Sequence, residues 1–144
     1  MNGTLYVVAT PIGNLEDMTH RAVRVLRECS LIACEDTRRS RVLLDHYGIE
    51  HGAARPLLSY YRQNESARSS QILEQLAAGA NVALICDAGT PLLADPGARL
   101  VRQALEAGIA VVPVPGPSAA ITALMASATE PPVLLLSFLP ARAG

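Results

Sequence analysis

The amino-acid sequence predicts an α/β fold, a three-layer sandwich built on a mainly parallel five-stranded sheet. Three observations carry that expectation. Five short apolar runs recur along the chain, segments of helical spacing separate them, and the runs are continuous rather than alternating. A strand covered on both faces reads as an unbroken aliphatic stretch, because both sides of its pleat meet helices. Regular alternation of strand and helix then requires right-handed crossovers, which place helices on both faces of a parallel sheet.

The elements follow in order. Leu5–Ala9 is the first predicted strand, and Ala22, Val25, Leu26 and Cys29 line one face of the first helix. Leu31–Cys34 is the second strand; Leu43, Leu44 and Tyr47 mark a short second helix ended by Gly48. Leu57–Tyr60 comes third, after which Asn64 can cap a helix that turns Ile72, Leu73, Leu76 and Ala77 inward and closes at Gly79. Val82–Cys86 is followed by a helix marked by Leu100, Val101, Ala104 and Leu105 and stopped by Gly108. After Val111–Val114, Pro117 suits the first turn of a fifth helix, expected to bury Ala120, Ile121, Leu124 and Met125. Glu130-Pro131-Pro132 breaks that helix, and Val133–Phe138 reads as one more strand. An apolar strand there needs a neighbour. Residues 1–130 therefore read as one α/β domain, and 131–144 as the start of a linker to a second domain absent from this chain.

Composition narrows the function. The 144 residues, half of them apolar, suffice for one well-packed domain and are few for two. The net charge of −1 gives no global positive field for nucleic acid, so any RNA contact must be local. All twelve basic residues are arginines, whose planar guanidinium suits phosphate. Cys29, Cys34 and Cys86 are odd in number, lie in or beside apolar runs and lack metal-ligand spacing, so they read as buried free thiols. His20, His46 and His51 are scattered and expected to be exposed, and no metal site is expected. No stretch approaches the roughly 20 apolar residues of a membrane span, and no secretory leader precedes the first strand, so a cytoplasmic protein is expected.

Ligands of open parallel sheets bind beyond the carboxyl ends of the strands. The loops at the amino ends here are short and bland, among them Ala80-Asn81 and Gly108-Ile109-Ala110. Those at the carboxyl ends are Thr10–Leu15, Glu35–Arg39, Tyr60–Asn64, Asp87–Pro91 and Pro115–Ser118. Glycine, proline, acids and arginines thus concentrate on one rim, although glycine and proline are also ordinary turn formers. Gly13 stands alone where a dinucleotide fingerprint needs several glycines, and the P-loop signature is absent. Small residues in Asp87–Pro91 permit close backbone approach to a ligand, and Thr90 adds a hydroxyl. Asp95 reads as a helix N-cap. Pro115–Ala119 opens a helix whose free amides favour an anionic group. Glu35, Asp36 and Thr37 before Arg38, Arg39 and Arg41 have two readings: a capped, salt-bridged helix start, or a substrate rim with arginines on phosphates.

These loops also carry a resemblance. Thr10–Leu15, Glu35–Arg38, Asp87–Leu92 with Asp95–Gly97, Val114–Leu124 and Phe138–Pro140 resemble the tetrapyrrole methylase family, in its branch that methylates ribosomal RNA. Thr10–Leu15 stands where the porphyrin and corrin branches have a glycine-rich loop. The resemblance implies a two-domain homodimer with S-adenosyl-L-methionine in the cleft. It further implies 2′-O-methylation of a cytidine ribose in the 16S rRNA of the small ribosomal subunit. Carried onto this chain, it implies cofactor contacts at Ile12, Gly13, Gly89, Thr90, Leu93, Ser118 and Ala119. A ribose hydroxyl must share or lose its proton to attack, and Asp87, Glu35 and Asp36 are the rim carboxylates able to take it. Arg38, Arg39 and Arg41 are the candidate substrate contacts. Two alternatives stand beside this: a tetrapyrrole substrate whose carboxylates the arginines would bind, or a half-domain fragment inactive by itself.

Overall fold

The computed structural model describes residues 1–136 and 138. Five strands, β1 (Thr4–Val8), β2 (Leu31–Cys34), β3 (Leu57–Ser59), β4 (Val82–Ile85) and β5 (Ala110–Val114), form one parallel sheet in the order β3-β2-β4-β1-β5. The register is continuous across the centre, with Leu5 opposite Val82 on one side and Val111 on the other. Each strand lies within one residue of its predicted bounds at either end. Pro113 sits in β5, at the sheet edge, where a missing N–H breaks no ladder bond.

Helices α1 (His20–Glu28), α2 (Thr37–His46), α3 (Glu65–Ala77) and α4 (Ala98–Glu106) connect the strands, and a 3-10 turn, Leu15–Asp17, precedes α1. One core layer joins Ala22, Val25 and Leu26 of α1 and Leu44 of α2 to Val8, Ile32 and Ile85. The other joins Ile72 and Leu76 of α3 and Leu100 and Ala104 of α4 to Leu5, Ala33 and Leu84. Neighbouring residues of β4 serve opposite layers, Leu84 one and Ile85 the other, as a two-residue period dictates. This is the expected three-layer sandwich.

Several local expectations are corrected. Ala77 and Leu105, at the last turns of α3 and α4, are exposed, because their neighbours Leu76 and Ala104 take the inward face there. Asn64 occupies the position before α3 but makes no cap bond; its side chain accepts from Tyr61 N–H and donates to the Ser59 carbonyl, bracing the turn after β3. The fifth helix, α5 (Ala119–Ser127), starts after Ser118, so Pro117 precedes rather than opens it. It buries nothing fully: Ile121 and Met125 are 58% and 81% exposed. Its nine residues are apolar on nearly every side, so periodicity cannot say which face, if any, finds a neighbour. Residues 133–136 form no strand, having no described partner edge; Ser137, in the same predicted strand, lies outside the described residues, as do residues 139–144 of the expected linker.

Candidate functional site

Three of the carboxyl-end loops are stitched together above β1, β4 and β5. Thr10 is fully buried, exchanges backbone hydrogen bonds with Gly89 at 2.9 and 3.0 Å, and donates its hydroxyl to the Cys86 carbonyl at 3.1 Å. Gly89 has φ +86, and a Cβ there would lie 3.3 Å from Ile12 Cγ2 and 3.7 Å from the Pro117 carbonyl oxygen. That position needs glycine both for its left-handed backbone and for the approach of its neighbours. Thr90 donates its hydroxyl to the Pro117 carbonyl at 3.0 Å, fastening the fourth loop to the fifth. The Cys86 thiol donates to the Gly89 carbonyl at 3.3 Å, and burial pushes its pKa up to about 12. It is a structural thiol, as are Cys29 and Cys34, both buried and unbridged.

A cavity of about 460 Å³ opens on the outer side of this junction. Gly89, Thr90, Leu93, Ser118 and Ala119 line it, five of the seven positions carried over by resemblance. Ile12 stands behind its floor, against Gly89. Gly13 does not line this cavity; it faces a second one, of about 210 Å³, together with Arg39 and Asp87. The sequence reading placed Gly13 with the other small residues, and the structure separates them by the width of the Thr10–Gly89 bridge.

The first cavity also has walls that the sequence did not disclose. Leu92, Ala94 and Asp95 line it, and Leu92 and Ala94 have φ of +76 and +70. A left-handed leucine or alanine is strained and is held only by its surroundings. Neither residue type signals such a turn. Asp95 is not the helix N-cap: α4 is capped by Gly97, with no side-chain bond, and Asp95 contributes to the cavity wall. The turn Leu92–Gly97 inserts two residues more than a direct cap would.

The charged rim touches the second cavity through Arg39 and Asp87. Asp36 is the N-cap of α2, accepting from Arg38 N–H at 2.8 Å and pairing with the Arg38 guanidinium at 2.9 Å. Those two bonds hold its pKa down at about 2. Asp87 accepts from Asp36 N–H at 3.1 Å through Oδ1 and from Arg39 at 3.0 Å through Oδ2, so both oxygens are committed. Glu35 differs: burial first, then repulsion from Asp87 and Asp95, raises its pKa above the ordinary carboxylate value. Arg38, Arg39 and Arg41 are all exposed on the first turns of α2. The capped, salt-bridged helix start is what the structure shows, and the three arginines stand exposed beside it. His51 departs from expectation: it is half-buried and its Nε2 pairs with Asp45 at 2.9 Å, away from the rim.

Among the described residues, no helix is long and apolar enough to cross a membrane. Residues 4–134 match the family model described as Tetrapyrrole (Corrin/Porphyrin) Methylases. The chain is 54% identical over 127 residues to Ribosomal RNA small subunit methyltransferase I of Haemophilus influenzae, covering 88% of this chain and 44% of that protein. It is 52% identical over 143 residues to the protein of the same name from Pseudomonas aeruginosa, covering 99% and 49%. The chain thus spans about half the length of these curated relatives. A crystal structure of uroporphyrin-III-C-methyltransferase from Thermus thermophilus is similar at TM-score 0.59 and 22% identity, over 88% of this chain and 53% of that one. At that identity the likeness concerns the fold alone.

Proposed function

Because this chain belongs to the tetrapyrrole (corrin/porphyrin) methylase family, we propose that it forms one wall of an S-adenosyl-L-methionine-dependent RNA methyltransferase. Its substrate in this reading is the ribose 2′-hydroxyl of a cytidine in the 16S rRNA of the small ribosomal subunit. The observation that carries the reading is the 52% identity over 99% of this chain to a ribosomal RNA small subunit methyltransferase, a span that includes every loop around both cavities. Residues 131–144 in this reading begin the linker to a second domain. The half-length match and the exposed apolar side of α5 favour such a domain. A homodimer working in the cytoplasm completes the proposal.

The cavity suits the cofactor. Its volume of about 460 Å³ falls in the range of roughly 300–1,000 Å³ typical of small-molecule sites. Gly89, its own N–H and carbonyl engaged by Thr10, offers close approach without a side chain, Thr90 and Leu93 line the wall beside it, and Ser118 and Ala119 begin a helix whose first-turn amides suit a carboxylate. Gly13 belongs to the same proposed contact set through the loop it shares with Ile12. When bound, S-adenosylmethionine supplies a methyl group on a sulfonium, open to in-line displacement.

The chain's own residues then divide the remaining work. Glu35, whose carboxyl holds its proton more tightly than usual, takes the ribose hydroxyl proton. Asp87 and Asp36 carry smaller claims to that role, since their oxygens are engaged by Arg39, Arg38 and the Asp36 amide. Arg38, Arg39 and Arg41 meet phosphates and fix register, as exposed guanidinium groups do on RNA. The tetrapyrrole alternative, in which the same arginines bind carboxylates, has the family's description behind it but rests on a relative of far lower identity. Calorimetric titration of the full-length protein with S-adenosylmethionine tests the cofactor assignment. Saturable micromolar binding is expected, and weaker binding by residues 1–144 alone. Absence of binding to the full-length protein would overturn it.

A further inference from the structure

Tyr60 follows β3, is fully buried, and donates its hydroxyl to Glu65 Oε1 at 3.0 Å, with Ser69 Oγ another 3.0 Å contact. Glu65 is the first residue of α3. The same Oε1 accepts the backbone N–H of Gly97 at 3.0 Å, and Gly97 is the N-cap of α4. Gly97 has no side chain with which to cap its helix, so a carboxylate from a neighbouring helix serves that end instead. A negative group there is also favoured by the dipoles of both α3 and α4.

The consequence falls on the first cavity. Its outer wall is the turn that holds Leu92 and Ala94 in left-handed backbone and presents Leu93 and Asp95. Such a turn keeps its shape only if both ends are fixed. The upstream end is fixed at Gly89 by its bonds to Thr10. The downstream end is fixed at Gly97, where a Cβ would lie 2.6 Å from Leu92 Cδ2 and 2.7 Å from Leu84 Cδ2, and where Glu65 takes the amide. Burial, with a smaller push from the Glu65 charge, raises Tyr60 to about 12, so its hydroxyl remains a donor throughout the working range.

We propose that Glu65, oriented by Tyr60, is a positioning residue for the cofactor: it holds the Leu92–Asp95 turn in the shape that completes the cavity. The proposal rests on the reading that S-adenosylmethionine occupies this cavity. It adds a residue outside the cavity that composition and motif gave no reason to select.

Four forms of the full-length protein decide it: wild type, Glu65→Ala, Glu65→Gln and Tyr60→Phe. Each is measured for S-adenosylmethionine affinity, for cofactor KM against kcat, and for amide hydrogen exchange at Gly97. Loss of a charge-assisted hydrogen bond predicts roughly tenfold or more weaker binding in Glu65→Ala, faster exchange at Gly97, and a raised cofactor KM with kcat little changed. Glu65→Gln retains an acceptor oxygen and should stay within about threefold of wild type, whereas Tyr60→Phe should fall between the two. Wild-type affinity in Glu65→Ala, or a Gln variant as impaired as the Ala variant, would overturn the proposal. Should Glu65→Ala fail to fold, wild-type affinity in Tyr60→Phe would overturn it equally. If wild type itself binds no cofactor, the functional reading fails, while exchange at Gly97 still reports on the brace.

Discussion

The two cavities at the carboxyl rim are neighbours built on opposite principles. The larger is shaped by backbone: a glycine with φ +86, a bridge between two loops, and a turn of left-handed leucine and alanine. The smaller carries a charged wall, where Asp87 is held between the Asp36 amide and Arg39, with the Arg38–Asp36 pair on the helix start next to it. A site fixed by backbone recognises shape and tolerates no added atom near it. A site fixed by exposed ion pairs is adjustable, because each pair contributes little and water competes for it. The proposed division follows: the first cavity holds a small molecule of constant shape, and the second faces a large polyanion.

Substitutions can break that division where it is weakest. The largest effect is expected at the charged rim. If Glu35 is the base, Glu35→Gln should lower kcat by roughly 10²–10⁴ while leaving cofactor affinity unchanged. The acid limb of the wild-type rate profile should lie above the ordinary carboxylate pKa, because the folded environment raises it. Single-turnover methyl transfer across pH checks both; full activity in the variant removes Glu35 and returns attention to Asp87.

Next comes the shaped cavity. Gly89→Val must place a branched side chain at a left-handed position 3.3 Å from Ile12. Strain of about 1–3 kcal/mol there should weaken S-adenosylmethionine binding by roughly one to two orders of magnitude. Calorimetry is the check, and unaltered binding would show that the cofactor lies elsewhere.

Two smaller effects return to the rim. Asp87→Ala removes the acceptor for the Asp36 amide and for Arg39, and should lower stability by about 1–2 kcal/mol. Its thermal midpoint should fall more than that of Arg39→Ala, which leaves the amide bond intact. The smallest effect belongs to Asp36→Asn, which keeps a capping oxygen and loses the charge and the second oxygen that pairs with the exposed Arg38 guanidinium. The Asp36 carboxyl is depressed to about 2, so its contribution is complete above the unfolded value of 3.8 and disappears as pH falls towards 2. Melting curves of wild type and variant should therefore differ at neutral pH and converge near pH 2.

Much of the fold was legible because each strand is an aliphatic run closed by loop residues, as in Val82–Ile85, buried at all four positions. A run of that length, too short for a buried helix and bounded by turn residues, reads as a strand covered on both faces. α5 was not legible. Its apolar composition announces a helix, but whether Ile121 and Met125 are covered depends on a neighbour, which no local pattern supplies. The site divides in the same way. Gly89, Thr90 and Ser118 could be placed on one rim because small and capping residues mark loops. The contribution of Leu92, Ala94 and Asp95 could not, since their roles come from a strained turn that leucine and alanine do not advertise. Arg39 and Asp87 are 48 residues apart, and only the adjacency of β2 and β4 in the sheet brings them together.

The central claim is methyl transfer to ribose. The most direct measurement incubates the full-length protein with S-adenosylmethionine labelled in its methyl group and small ribosomal subunits from cells lacking this activity, then digests the 16S rRNA to nucleosides. Label recovered in 2′-O-methylcytidine, and lost with Glu35→Gln or Gly89→Val, is the expected result. No label in RNA, with transfer instead to a tetrapyrrole offered in parallel, would contradict the account.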